Sequence, residues 1–189
     1  MLKPFLVASA LFCSQAFAAW QLDSQLSDVS FVSVKQSSVA EVHHFTQLDG
    51  TISEQGQLQL QIDLSSVESM IPIRNERMRK MLFNVTQYPS ATVTADVSAQ
   101  LAKLPTGTTK VSDVSANLSL HGQIEQLSLD LLVTKSADGL VVTPVKAVII
   151  NAPAFGLGKG IEALREIAGL KSIATSVPVS FNLVFNGQD

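Results

Sequence analysis

The sequence predicts an all-β fold: about eight antiparallel strands, closed as a barrel or stacked as a sandwich, with two short helical insertions. Three observations predict it. Several segments alternate polar and apolar residues with a period of two, which puts one apolar face on each strand. Turn dipeptides separate those segments. Only two stretches break the rhythm with helical spacing.

Residues 1–18 come first and read as an export signal. Lys3 supplies a positive start, Phe5 to Phe12 a short apolar run, and Ala16-Phe17-Ala18 small residues at both recognition positions before a cut. The apolar run is shorter than the roughly 20 residues a bilayer-spanning helix needs. Cleavage after Ala18 would leave 171 residues with a net charge of −4. The chain is therefore expected to work in the periplasm, as one domain over residues 19–189. Cys13 is the sole cysteine and lies inside the signal. Phe12 stands where a lipoprotein signal needs a small residue, which disfavours lipid attachment there. Without cysteines the exported chain has no disulfide or thiolate chemistry and must be held by its core. With 46% hydrophobic and 15% charged residues, one sizeable core is expected, and disorder is excluded.

The clearest strand is Gln57 to Leu64, where Leu58, Leu60, Ile62 and Leu64 share a face. Asp113 to Leu120 repeats the pattern with Val114, Ala116, Leu118 and Leu120. Leu127, Leu129, Leu131 and Val133 follow it, and Val177, Val179, Phe181, Leu183 and Phe185 close the chain. Thr92 to Val97 alternates more softly. Val29 to Val34 and Val141 to Ile150 are β-rich without alternation. Turns are expected at Asp49-Gly50, Gln55-Gly56, Thr106-Gly107, His121-Gly122 and Ser136 to Gly139. The helical insertions are Ile73 to Phe83, rich in Arg, Met and Lys, and Gly160 to Lys171. In the second, Ile161, Leu164, Ile167 and Leu170 recur every three residues.

Motifs for enzyme chemistry are absent: no Gly-x-Ser-x-Gly, no His-Glu-x-x-His, no phosphate loop and no dinucleotide fingerprint. No cofactor is expected. A basic stripe is also lacking, so nucleic acid is not an expected partner. His43 and His44 are neighbours in a strand and point to opposite faces, which reads as two surface or rim histidines. His121 reads as a turn histidine bonded to backbone. Arg74, Arg77, Arg79 and Lys80 lie among Met78, Met81, Leu82 and Phe83. That segment suits either a solvated helix closing a barrel end, with Glu76 as internal partner, or an amphipathic lid with cations for a head group.

The ordered motifs resemble the YceI-like family. Trp20-Gln21-Leu22-Asp23 matches that family's opening Trp-x-Leu-Asp; Ser27, Val29 and Phe31 match its first strand. Phe45 with Gly50-Thr51-Ile52, Arg74 to Arg79 with Phe83, Tyr88-Pro89, and Leu118-Ser119-Leu120-His121-Gly122 follow in the family's order. The chain departs from it at Leu26, Lys35, His43, at Asn75-Glu76-Arg77, and in the helical insertion near its end. The resemblance implies an extended lipocalin-like barrel with an elongated apolar pocket. It also implies a long-chain isoprenoid or fatty amphiphile as partner, and with it transient membrane contact; oligomeric state is left open, a homodimer included. The expected interior contacts are Phe31, Phe45, Leu60, Ile62, Leu118, Leu120, Leu129, Leu131 and Phe181, with Arg74, Arg77 and His121 as polar contacts. Two other readings stand beside it: an envelope interaction module with a filled barrel, and an enzyme built on Arg77, His121 and Glu76.

Overall fold

A computed structural model describes residues 18–188. The expected signal, residues 1–18, lies outside them but for Ala18. Twelve strands form: β1 (Ala18–Leu22), β2 (Asp28–Lys35), β3 (Val39–Phe45), β4 (Leu48–Ser53), β5 (Gln57–Asp63) and β6 (Val67–Glu68) in the first half. The second half adds β7 (Ser90–Asp96), β8 (Gly107–Leu120), β9 (Gln123–Lys135), β10 (Gly139–Pro144), β11 (Val148–Asn151) and β12 (Ser176–Gly187). Between them lie α1 (Pro72–Arg77), α2 (Ser98–Leu101) and α3 (Gly158–Ile167). A π turn, Met78–Leu82, continues α1. No helix among the described residues is long and apolar enough to cross a membrane.

The twelve pieces make eight staves. β12 pairs with β1 and β2 along one edge and with β10 and β11 along the other, so each of those couples is one kinked strand. β3 with β4, and β5 with β6, are kinked in the same way. All pairings are antiparallel, and the β1–β12 contact shuts the ring into a closed barrel. Closure removes the exposed edges that an open sheet would offer to other chains.

The alternation behaves as expected. Leu60, Ile62 and Leu64 of the β5 stave, Val114, Ala116, Leu118 and Leu120 of β8, and Leu183 and Phe185 of β12 are all buried inside. His121-Gly122 turns β8 into β9 with both residues at positive φ (52° and 78°), the geometry of a two-residue hairpin loop. Ser136 donates its N–H to the Gly139 carbonyl at the expected hairpin tip.

Three expectations are corrected. Asp49-Gly50 is not a turn but lies within β4. A Cβ on Gly50 would sit 3.2 Å from the Gln59 carbonyl oxygen and 3.4 Å from Leu22, so glycine serves close strand approach there. The Val141 to Ile150 run is not an unbroken strand; it is one stave that bends between β10 and β11. And β8 begins well before Asp113, which takes φ 56° at a bulge between Val111 and Val114.

α1, its π turn and α3 sit together at one end; α2 lies at the other, where Val97 donates its N–H to the Gly56 carbonyl. Gly160 of α3 packs so tightly on the π turn that a Cβ would lie 2.6 Å from the Met81 carbonyl oxygen and 2.8 Å from the Leu82 Cα. Buried Phe155, Leu157 and Ile161 join Met78 and Phe83 in the same core cluster.

Candidate functional site

The barrel encloses an elongated cavity of about 210 Å³. It reaches from Ala152, Leu157 and Ile161 beneath the helices to Ala95 and Val97, and every residue lining it is apolar. The nine apolar residues singled out from the sequence all line it: Phe31, Phe45, Leu60, Ile62, Leu118, Leu120, Leu129, Leu131 and Phe181. Period-two strands place them so. Phe31, Phe45, Leu131 and Phe181 face inward yet are only partly buried. A close-packed core would leave such side chains no accessible surface. Water has no hydrogen-bond partner in such a lining, so the space is suited to hydrocarbon.

A second pocket, about 260 Å³, lies between α1 and α3 and has a different character. Its floor carries Ser33, Lys35, Glu41, His43, Arg74 and Arg77; its walls include Ile71, Ile73, Leu164 and Ile167. The two pockets share one strand face. In the β2–β3 hairpin Val29 is opposite Phe45, Phe31 opposite His43, and Ser33 opposite Glu41. Along that inward face the chain passes from hydrocarbon to charge, with Phe31 and His43 at the boundary, ring centroids 5.3 Å apart.

Glu41 organises the polar floor. It accepts two hydrogen bonds from the Arg74 guanidinium, at 2.8 and 3.2 Å, and an ion pair from Lys35 Nζ at 2.5 Å. Burial pushes its pKa up, but the Lys35 hydrogen bond and the Arg74 and Lys35 charges outweigh this and hold it below the usual glutamate value. Arg77 lines the same pocket and makes no ion pair or hydrogen bond with the described residues.

His43 corrects the reading of two surface histidines: it is 2% exposed. Its Nε2 lies 3.9 Å from Glu41 Oε2, and its Nδ1 is buried with no hydrogen-bond partner among the described residues. Burial, reinforced by the Arg74 charge, lowers its pKa, so the ring is neutral at neutral pH.

The structure brings Arg74 and Arg77 together but sets His121 apart. His121 packs against Tyr88, ring centroids 4.3 Å apart and tilted by 50°, and lies beside Gly156, outside both pocket linings. No hydrogen bond from its side chain to backbone forms among the described residues. Glu76 is exposed and paired with Lys80 at 2.7 Å. The three residues of the enzyme reading therefore sit in three different surroundings. No group of three His, Cys, Asp or Glu among the described residues is placed to hold a metal ion. Sequence reasoning missed Lys35, Glu41 and His43. Their signal was parity: Phe31, Ser33 and Lys35 alternate with each other as do Phe45, His43 and Glu41.

A closed antiparallel barrel around an apolar cavity, with α1 and α3 over one end, is a lipocalin-like architecture. The YceI-like domain model matches residues 20–185, and the chain belongs to that family. A polyisoprenoid binding domain from Saccharophagus degradans, implicated in plant cell wall breakdown, is 41% identical. That alignment covers 91% of this chain and all of the other, with a TM-score of 0.87. Burkholderia cenocepacia BcnA shares the fold at 22% identity, covering 86% of this chain and 98% of its own, with a TM-score of 0.65. The Campylobacter jejuni YCEI protein shares it at 12% identity over the full length of both chains, with a TM-score of 0.58. A search of curated proteins found no match.

Proposed function

We propose that this protein is exported to the periplasm and there binds a long-chain, isoprenoid-like amphiphile, for sequestration or transport. The tail occupies the barrel and the head lies at the Lys35–Arg77 pocket. The observation that carries this is the inward face of the β2–β3 hairpin, which joins an all-apolar cavity to a cationic floor. The Saccharophagus domain, a polyisoprenoid binder by description, supports the ligand class. Energetics agree: burying each methylene yields about 0.8 kcal/mol, so a long tail binds without any strong polar contact. Among the described residues Arg77 has no partner and is the cation left for a head group, since Arg74 is already engaged by Glu41. The export signal read in residues 1–18 supports the location.

The test is native mass spectrometry of the protein purified from the periplasm, followed by solvent extraction. A stoichiometric prenyl or fatty species supports the reading. A bare mass, with no uptake of added quinones or polyprenyl lipids, overturns it and favours a filled barrel that acts on a protein partner.

A further inference from the structure

The helical end carries exposed apolar side chains around the head-group pocket that holding a tail inside the barrel does not require. Met70 is 84% exposed, and Ile71, Ile73 and Ile167 are 39%, 52% and 49% exposed. Ile71, Ile73 and Ile167 border the same pocket, and Met70 directly precedes Ile71. Met70 also has φ 61°, a conformation a side chain-bearing residue adopts at a cost.

That strained turn is firmly held. Buried Asn75 accepts from the Ser69 N–H at 2.9 Å and the Ser69 hydroxyl at 2.6 Å, and donates to Glu68 Oε1 at 2.9 Å. The same Glu68 oxygen accepts the Met70 N–H at 2.5 Å. The nearby carboxylate is thus occupied in fixing a flexible apolar side chain outward, ahead of α1.

Charge is distributed just as unevenly. Residues 72–83 and 158–171, with Lys35, Glu41 and Glu68 packed against them, carry eight cations against five carboxylates; the rest of the chain carries five against eleven. The helical end is net positive on a protein of net charge −3. Such a dipole turns that end toward an anionic surface. Separate aliphatic side chains interleaved with cations suit a lipid interface, where tails take the one and phosphates the other.

We propose that the helical end docks on an anionic lipid bilayer. Met70, Ile71, Ile73 and Ile167 enter the interface, and exposed cations with no carboxylate partner among the described residues, Lys159 of α3 and Lys171 just after it, meet the phosphates. The surface argument does not depend on which lipid the cavity holds, and the probe vesicles contain no prenyl lipid.

The experiment is flotation of the exported protein with phosphatidylglycerol–phosphatidylethanolamine vesicles, compared with phosphatidylcholine vesicles, at low and high salt. Binding is expected to the anionic vesicles and to weaken with salt. Met70→Ser/Ile73→Ser is expected to lose roughly tenfold or more in partitioning. Lys159→Gln and Lys171→Gln are each expected to lose about fivefold. Both apolar positions are exposed, so the double variant keeps its melting temperature. Leu132→Ser, on the outer face of β9, serves as control and is expected to bind like the parent. Equal partitioning of parent and variants, no preference for anionic vesicles, or no vesicle binding by the parent would overturn the proposal. Loss of a copurifying protein in the variants, without vesicle binding, would assign the face to a protein partner instead.

Discussion

Filling the cavity separates a lipid pocket from a packed core. Ala116 is 2% exposed on β8 and lines the cavity. Ala116→Phe places six ring carbons there. In a close-packed interior such an insertion costs about 1–3 kcal/mol. In an open cavity of about 210 Å³ the ring finds room, so the stability change should lie near zero or be favourable. A bound tail would lose its place to those six carbons at about 0.8 kcal/mol each, close to 5 kcal/mol, or more than a thousandfold in Kd. Urea unfolding reads the first quantity and titration with a fluorescent long-chain lipid reads the second. A variant destabilised by a few kcal/mol that takes up lipid as the parent does would refute the reasoning.

The other predictions concern the polar pocket and the cap. Arg77→Ala removes a cation without a partner, so stability should stay within about 0.5 kcal/mol while affinity for an acidic-headed amphiphile falls; Arg74→Ala, which strips Glu41 of a forked partner, should lower both, and equal affinity in the Arg77 variant and parent would count against the head-group assignment. His43 faces Glu41 on its own strand, Lys35 from β2 and Arg74 from α1, and its folded-state pKa lies below 6.5. The unfolded chain therefore takes the proton first: stability is full above 6.5 and is lost as pH falls through the folded-state value. Glu41, lowered from 4.5, adds a second loss at more acidic pH. Urea midpoints across the acid range should show the first step, and His43→Leu should flatten it; an unchanged profile would rule His43 out as its source. Gly160→Ala forces a Cβ onto the backbone of the π turn and should cost about 1–3 kcal/mol, with α3 losing amide-exchange protection before the barrel strands do.

The barrel was legible wherever a strand has one wet face and one apolar face. Leu58 to Leu64 and Leu118 to Leu120 announce their inward side because a period of two leaves no other consistent burial. The kinks were not legible. β10 and β11 read as one run because propensity does not register where a stave bends, and the Asp113 bulge needs a left-handed residue that any sequence reading gives to glycine. Gly50 misled for the converse reason, since close strand approach and a turn ask for the same residue. His43 was missed because adjacent strand histidines, pointing to opposite faces, read as two surface or rim residues. Its burial follows from pairing with Phe31 across the hairpin, a long-range fact. Arg74 and Arg77 were placed correctly on a helix, but the Glu41 fork that distinguishes them comes from a strand 33 residues away in sequence.

The central claim is that hydrocarbon enters the barrel, and methyl NMR tests it most directly. Leucine, isoleucine and valine methyls are labelled and a long-chain prenyl lipid is added. The account predicts contacts between tail protons and the methyls of Leu60, Leu118, Leu129 and Leu131, with Val145 and Ile124 on the outside unmoved. Shifts confined to surface methyls such as Ile73 and Ile167, with the interior set unchanged, would contradict it.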